Sequence, residues 1–311
     1  MTAGGTAIDD LQTVRDWLRW AVSSFNAAKL SYGHGTSGAL DEAAFLILET
    51  LHLPGDQLEP WLDARLTIAE RRAVRDIVVR RIETRKPAPY LTGSAYIQGH
   101  RFAVDERVIV PRSYIGELLL AGRFDDLVPR GPARILDLCT GSGCLAILAA
   151  LYFGDASVDA VDLSADALAV ARRNVGDYAL DARVHLLEGD LLAPVAGQCY
   201  DLIIANPPYV ARAEVAAFPP EHAAEPVMAH LAGDDGLDLA RRILASAAAH
   251  LAPGGTLVME IGTGRAILET AFADLPFVWL DTEESDGEVL LIGASDLAGG
   301  KPARRKPVKR S

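Results

Sequence analysis

"ARILDLCTGSGCLAILAALYFGDASVDAVDL", residues 133–163, decides the fold, because it holds an apolar run, a glycine turn, a helical stretch and a second apolar run in immediate succession. "ARILDL" (133–138) has the length of a buried strand, a helix is expected from about residue 143, and "SVDAVDL" (157–163) returns as a strand. Downstream the texture repeats. "SADALAVARRNV" is helical, and "ARVHLLEGD" (182–190), "YDLIIA" (200–205) and "GTLVMEIG" (255–262) are strands. Such alternation predicts an α/β fold, a doubly wound parallel sheet with helices on both faces, whose ligands sit beyond the carboxyl ends of the strands.

Upstream the period changes. In "AIDDLQTVRDWLRWAVSSFNAA", Leu11, Val14, Leu18, Val22 and Phe25 recur at three and four residues, an amphipathic helix. "ALDEAAFLILETLHLP" is a second helix stopped by Pro54, and Thr67 with Glu70 forms a capping box before a third, "RRAVRDIVVRRIETR". Between Pro87 and Pro111, "YLTGSAYIQGHRFAVDERVIVP" alternates, and Gly99-His100 marks a hairpin. The expected organisation is a helical unit over 1–86, a hairpin linker over 87–112, a catalytic unit over 113–294 and a disordered basic tail over 295–311.

Half of the 311 residues are hydrophobic, enough for a sizeable core. Apolar runs such as "LAILAALYF" fall far short of the roughly 20 residues of a membrane span. No leader is recognisable at the start, so a cytoplasmic setting and no membrane contact are expected. Three cysteines without CxxC spacing and seven histidines scattered along the chain predict reduced thiols and no metal. The tail "KPARRKPVKRS" carries six bases and no acid, so a net charge of −12 becomes −18 over residues 1–300. The body is not built to hold nucleic acid. The tail is a solubilising end or a weak RNA contact.

Chemistry gathers at the strand ends. "DLCTGSGC" (Asp137 to Cys144) lets the backbone approach a ligand closely at a helix start, through Gly141 and Gly143. Asp162 closes the second strand, 21 residues after Gly141, where a carboxylate can accept both hydroxyls of a ribose. Gly189-Asp190 closes the third, where a carboxylate can accept from an adenine amino group. A lone acid at a strand end more often caps a helix, but three on successive strands outline a pocket for an adenosine. "GSGCLA" also fits a dinucleotide fingerprint, so a nicotinamide-dependent oxidoreductase is a rival.

The fourth strand argues against it. "DLIIANPPYV" (201–210) ends in Asn206, Pro207, Pro208 and Tyr209, which hydride transfer does not use and methyl transfer to a planar nitrogen does. An amide or aryl amine nitrogen has a delocalised lone pair and is a poor nucleophile. A catalyst must accept its two N–H bonds, and the Asn206 side-chain oxygen and the Pro207 carbonyl are two such acceptors. The prolines fix the direction of that carbonyl and bring no competing N–H. Tyr209 supplies a flat wall for a planar group.

These residues together resemble the class I S-adenosylmethionine-dependent methyltransferases, and within them the HemK/PrmB-type protein-glutamine methyltransferases. "YGHGTSGALDEA" (32–43), "YLTGSAYIQGHRFAVDERVIVPRSYIGELL" (90–119) and "EP" at 225 followed by "GDDGLDL" are similar to the branch acting on the third protein of the large ribosomal subunit. The release-factor branch has a different signature where this chain reads "PRSYIGEL". The resemblance implies a Rossmann-like seven-stranded sheet with "EVLLIG" (288–293) antiparallel, S-adenosylmethionine as cofactor, and a ribosomal protein as partner. It implies cofactor contacts at Asp137, Cys139, Thr140, Gly141, Ser142, Gly143, Asp162, Asp190, Leu191 and Asn206. Amide contacts carry over to Asn206, Pro207, Pro208 and Tyr209.

Arg112 and Glu117 are either substrate contacts or a structural ion pair, and His34 is a loop residue before it is a catalyst. The chain departs from the family pattern with Ala229-His230 after Glu225-Pro226, which touches substrate recognition rather than chemistry. DNA methyltransferases acting on the adenine amino group use the same Asn-Pro-Pro-Tyr after base flipping, but the acidic body argues against a DNA partner. A non-catalytic adenosine-binding scaffold has no use for an ordered amine site.

Overall fold

The computed structural model describes residues 9–124, 128, 131–283 and 285–299. Helix α1 (Val14–Ala28) starts at Thr13, whose hydroxyl takes the Asp16 N–H while the Asp16 carboxylate takes the Thr13 N–H. Its buried face holds Val14, Leu18 and Phe25 as the spacing predicts, and adds Trp17 and Ala21. Helix α2 (Ala39–Leu51) stops at His52, left-handed at φ 56° and two residues before Pro54. Helix α3 (Ile68–Thr84) carries the predicted Thr67–Glu70 capping box. The three enclose a core that includes Trp17, Phe25, Leu46, Ile47 and Val74. One base is buried with them: Arg81 of α3 donates to Glu42 of α2 at 2.7 Å and to the Ser31 carbonyl at 3.1 Å.

The linker opens with a short helix, α4 (Ala88–Thr92), which alternation did not anticipate. Pro87 and Pro89 preset its first turn. Strands β1 (Ser94–Ile97) and β2 (His100–Ala103) then pair antiparallel. Their turn is Gln98-Gly99, with φ of 49° and 80°, one residue before the predicted position.

After α5 (Tyr114–Leu120) the chain builds β3 (Arg134–Leu138), α6 (Cys144–Tyr152), β4 (Ser157–Asp162), α7 (Ala165–Asp177), β5 (Val184–Glu188) and β6 (Tyr200–Ala205). There follow α8 (Arg212–Val215), α9 (Asp238–Ala247), β7 (Leu251–Glu260), α10 (Arg265–Ala271), β8 (Val278–Leu280), β9 (Val289–Gly293) and α11 (Ala294–Gly299). The seven-stranded sheet has the order β5-β4-β3-β6-β7-β9-β8. Only β9, the predicted antiparallel strand, runs against its neighbours β7 and β8. The expected tail starts within α11, where Leu297 is buried. Its six bases lie outside the described residues.

Both faces of the sheet are covered, so strand residues alternate between two cores. Ile135, Leu202 and Ile204 pack with α5 and α6, while Leu136, Ile203 and Leu257 pack with α9. Winding reverses between β3 and β6, which opens a crevice at their carboxyl ends. The register levels those ends: Leu187, Val161, Leu138, Ala205 and Met259 form one row across five strands. The next residues up are Glu188, Asp162, Cys139, Asn206 and Glu260.

Candidate active site

Cys139, Asp162 and Asn206 of that row border one cavity, and Glu260 borders another. The first is walled by Cys139, Gly141, Asp162, Asp190, Leu191 and Asn206, together with Pro208. Cys139 and Leu191 adopt φ of 60° and 49° there, a left-handed backbone that costs a non-glycine residue about 1–3 kcal/mol. Asp162 accepts the Gly141 N–H on one oxygen at 2.8 Å and the Ser164 N–H on the other at 2.9 Å. Burial raises its carboxyl. Each oxygen keeps a lone pair, so the site fits a ligand bearing a vicinal diol.

Other predicted cofactor residues lie behind this wall. Asp137 sits two rows below Asp162, roughly 6–7 Å deeper at about 3.3 Å per residue. It is completely buried and accepts from the Thr140 hydroxyl at 2.5 Å and the Ala146 N–H at 3.1 Å. It braces the loop and does not face the cavity. Thr140 and Ser142 are likewise buried. The Ser142 carbonyl accepts from Asn174 Nδ2 at 2.8 Å, and the same Asn174 amide both donates to and accepts from Ala103 of β2. Asn174 thereby ties the hairpin to the glycine loop. Asp190 is half-exposed and borders the cavity, and its Oδ2 accepts from Arg242 Nη2 at 2.6 Å.

Asn206 is held by one contact. Its Nδ2 donates to the Arg112 carbonyl at 3.2 Å, which assigns the amide orientation. Among the described residues nothing donates to its Oδ1 or to the Pro207 carbonyl. Pro207 is buried, and Tyr209 turns away from the first cavity into a second of about 550 Å³, shared with Arg112, Glu117 and Glu260. Two glycines make room for Tyr209. A Cβ on Gly262 (φ 54°) would stand 2.7 Å from its ring, and one on Gly236 (φ 77°) 2.3 Å from its carbonyl oxygen.

Arg112 and Glu117 do not pair with each other. Arg112 spans both carboxylate oxygens of Glu225 at 3.2 Å, and Glu117 accepts the Glu283 N–H at 2.7 Å. Three of the seven histidines, far apart in sequence, come together in space. One ligand atom each from His34, His222 and Glu225 lie within 4.8 Å of one another, and His230 Nε2 stands 3.1 Å from Glu225. Arg112 and the Val110 N–H already occupy that carboxylate.

Glu260 escaped the sequence reading altogether. It ends β7 level with Asn206, is 1% exposed, and accepts from Ser113 Oγ at 2.8 Å, the Tyr114 N–H at 3.1 Å and the Tyr209 hydroxyl at 3.3 Å. Its signal was the same as for Asp162, an acid closing a strand in "MEIG". Burial pushes Glu260 and Asp137 each up to about 7. The folded chain thus holds two protons that the unfolded chain releases near pH 4. The stability they contribute is full below about pH 4 and lost as pH rises through about 7. His222 runs the other way: burial and the neighbouring His34 lower it to about 4, so its contribution grows up to about pH 6.5 and is then constant. The unfolding free energy of the ligand-free protein should therefore fall between about pH 6.5 and 8, by about 1 kcal/mol per carboxyl, and the thermal midpoint with it. A D137N/E260Q double variant should not show the fall in calorimetric scans.

A family model described as a methyltransferase small domain matches residues 115–221. The chain is 54% identical over 295 residues to a protein of Bradyrhizobium diazoefficiens named ribosomal protein uL3 glutamine methyltransferase, covering 93% of this chain and 92% of that relative. It is 54% identical over 302 residues to a protein of the same name from Burkholderia pseudomallei, covering 94% and 98%. A solved structure described as the T. thermophilus 16S rRNA N2 G1207 methyltransferase (RsmC) in complex with AdoMet and guanosine aligns at 22% identity and a TM-score of 0.45, over 64% of this chain and 49% of that one.

Proposed function

The chain belongs to the uL3 glutamine methyltransferase family, and from that premise we propose that it transfers a methyl group from S-adenosylmethionine to the side-chain amide nitrogen of a glutamine in ribosomal protein uL3. The observation that carries this reading is the pair of acceptors, Asn206 Oδ1 and the Pro207 carbonyl, to which nothing donates among the described residues, with Asn206 on the wall of the first cavity and Tyr209 on that of the second.

The cofactor pocket supports S-adenosylmethionine: Asp162 is disposed for the ribose, and Cys139, Gly141 and Leu191 form the apolar and backbone wall. When bound, the cofactor would supply an electrophilic methyl group to the amide nitrogen, with the displaced amide proton passing to water. The chain does the rest by holding the nucleophile. Asn206 Oδ1 and the Pro207 carbonyl each accept one amide N–H, which draws charge toward the nitrogen and fixes its direction. Tyr209, whose phenol is raised by burial and by Glu260 beside it, lies along the amide plane as a neutral wall. Acceleration comes from positioning and preorganised acceptors, with no covalent nucleophile.

The second cavity is the proposed entry for the glutamine-bearing segment, with the N-terminal helices and hairpin recognising the rest of the substrate. Among the described residues, its acids Asp41 and Glu117 have no cationic partner. Such a wall repels phosphate, which weighs against the DNA alternative. The reaction's place is the cytoplasm, where ribosomal proteins meet their modifiers, and no helix among the described residues is long and apolar enough to cross a membrane. Weak RNA contact is the proposed role of the basic tail.

The test incubates the protein with labelled S-adenosylmethionine and, separately, unmodified uL3, a release factor and adenine-containing DNA. Label on a uL3 glutamine is expected. Label only in the release factor moves the assignment to the sister branch, and label only in DNA overturns it.

A further inference from the structure

Glu225 does not touch either open acceptor, yet its carboxylate gathers the linker, the Gly-His-Gly-Thr loop and its own segment. It is 3% exposed. One oxygen accepts the Val110 N–H at 2.9 Å and Arg112 Nη1 at 3.2 Å, and the other accepts Arg112 Nη2 at 3.2 Å. That second oxygen also stands 3.1 Å from His230 Nε2 and 3.4 Å from His34 Nε2. Burial alone would raise the carboxyl, but the His230 and His34 contacts and the Arg112 charge hold it well below the usual range. It is therefore a fixed anion with three donors on residues 110–112.

Those three residues end in the carbonyl that orients Asn206. Clamping Val110 by its N–H and Arg112 by its guanidinium leaves the Arg112 carbonyl one direction, and Asn206 Nδ2 is found on it at 3.2 Å. An amide has only two orientations in its plane. The one that puts Nδ2 on Arg112 puts Oδ1 on the opposite side, as an acceptor. We propose that Glu225 is a positioning residue that aims the Asn206 acceptor through the Arg112 backbone, and that His34 and His230 complete its shell from the N-terminal loop and from the segment after Asn-Pro-Pro-Tyr. The proposal rests on the methyl-transfer reading for its kinetic consequence and on the geometry alone for the orientation of Asn206.

A neighbouring acid supplies the control. Glu221, on the 3-10 turn (Pro220–Ala224) that Glu225 closes, is equally buried but faces Arg85, Arg81 and the Ser31 N–H, with no connection to Arg112. Both Glu225→Gln and Glu221→Gln remove one buried charge. Only the first releases the Arg112 clamp.

Two measurements are made on the full chain. In the first, kcat and KM are determined per folded molecule with unmodified uL3 and S-adenosylmethionine. Glu225→Gln should lower kcat about a hundredfold and leave the KM for S-adenosylmethionine within about twofold, while Glu221→Gln changes neither by more than about twofold. Arg112→Lys, which keeps the charge but loses the fork, should fall between them and covers the case in which Glu225→Gln folds poorly. In the second, protein isotope-labelled at its asparagines, Asn26, Asn174 and Asn206, is observed by NMR. The Asn206 side-chain amide signals should move toward free-amide positions in Glu225→Gln while those of Asn174 stay. Unchanged kcat in Glu225→Gln, unmoved Asn206 signals, or an equal kcat loss in Glu221→Gln each overturns the proposal. If the wild-type chain does not methylate uL3, the functional reading fails, and the amide signals still decide whether Glu225 holds Asn206.

Discussion

Asn206→Ala is expected to lower single-turnover methyl transfer to uL3 by about 10²–10³, with S-adenosylmethionine affinity changed far less. The loss corresponds to about 3–4 kcal/mol of transition-state stabilisation. Alanine removes one of two acceptors for the amide protons, the side-chain one, whose direction is fixed by the Arg112 carbonyl. The Pro207 carbonyl remains, because it belongs to the backbone. The residue also borders the cofactor cavity, so some loss of affinity is expected, but Asp162 and the Cys139–Gly143 loop are untouched. Rapid-quench transfer and calorimetric titration separate the two effects. Transfer within about tenfold of wild type would remove Asn206 from the acceptor role.

Arg81→Met is expected to cost about 3–5 kcal/mol of stability, the largest effect of any single change among the N-terminal helices. Arg81 is wholly buried, 2.7 Å from Glu42 and 3.9 Å from Glu221. Burial already raises Glu42, and Arg81 is the main influence holding it down. Without the guanidinium, Glu42 keeps only Thr36 Oγ1 at 3.1 Å and must take up a proton or admit water. Glu221 retains Arg85 at 2.5 Å. The double variant Glu42→Gln/Arg81→Met should therefore be more stable than Arg81→Met alone in urea unfolding. If the two changes instead add, the pair is not the stabilising unit.

The sheet was legible because its information is local. A strand ends where apolar residues give way to glycine and acid, and register then places Asp162, Cys139 and Asn206 on one level without further instruction. The depth of Asp137 was not legible, because an acid inside a strand and an acid at its end look alike in one dimension, although two residues separate its level from that of Asp162. Asn174, Glu260 and Glu225 were missed or undervalued for another reason. Their partners stand far away in sequence, as Ser113 is 147 residues from Glu260 and Arg112 is 113 from Glu225. No periodicity marks such pairs. The helix caps were legible for the converse reason, since Thr67 and Glu70 satisfy each other three residues apart.

The turn from Pro220 to Ala224 has a bearing on how such proteins can be recombined. Glu221 is neutralised by bases of the N-terminal helices, and Glu225, four residues on, by bases and imidazoles from the linker, the Gly-His-Gly-Thr loop and its own segment. A chimaera that joined these helices to the catalytic sheet of a distant relative would strand a carboxylate at an apolar seam unless the matching arginines travelled with it. Exchange of specificity between relatives is thus confined to crossovers that carry the turn and its cationic partners together.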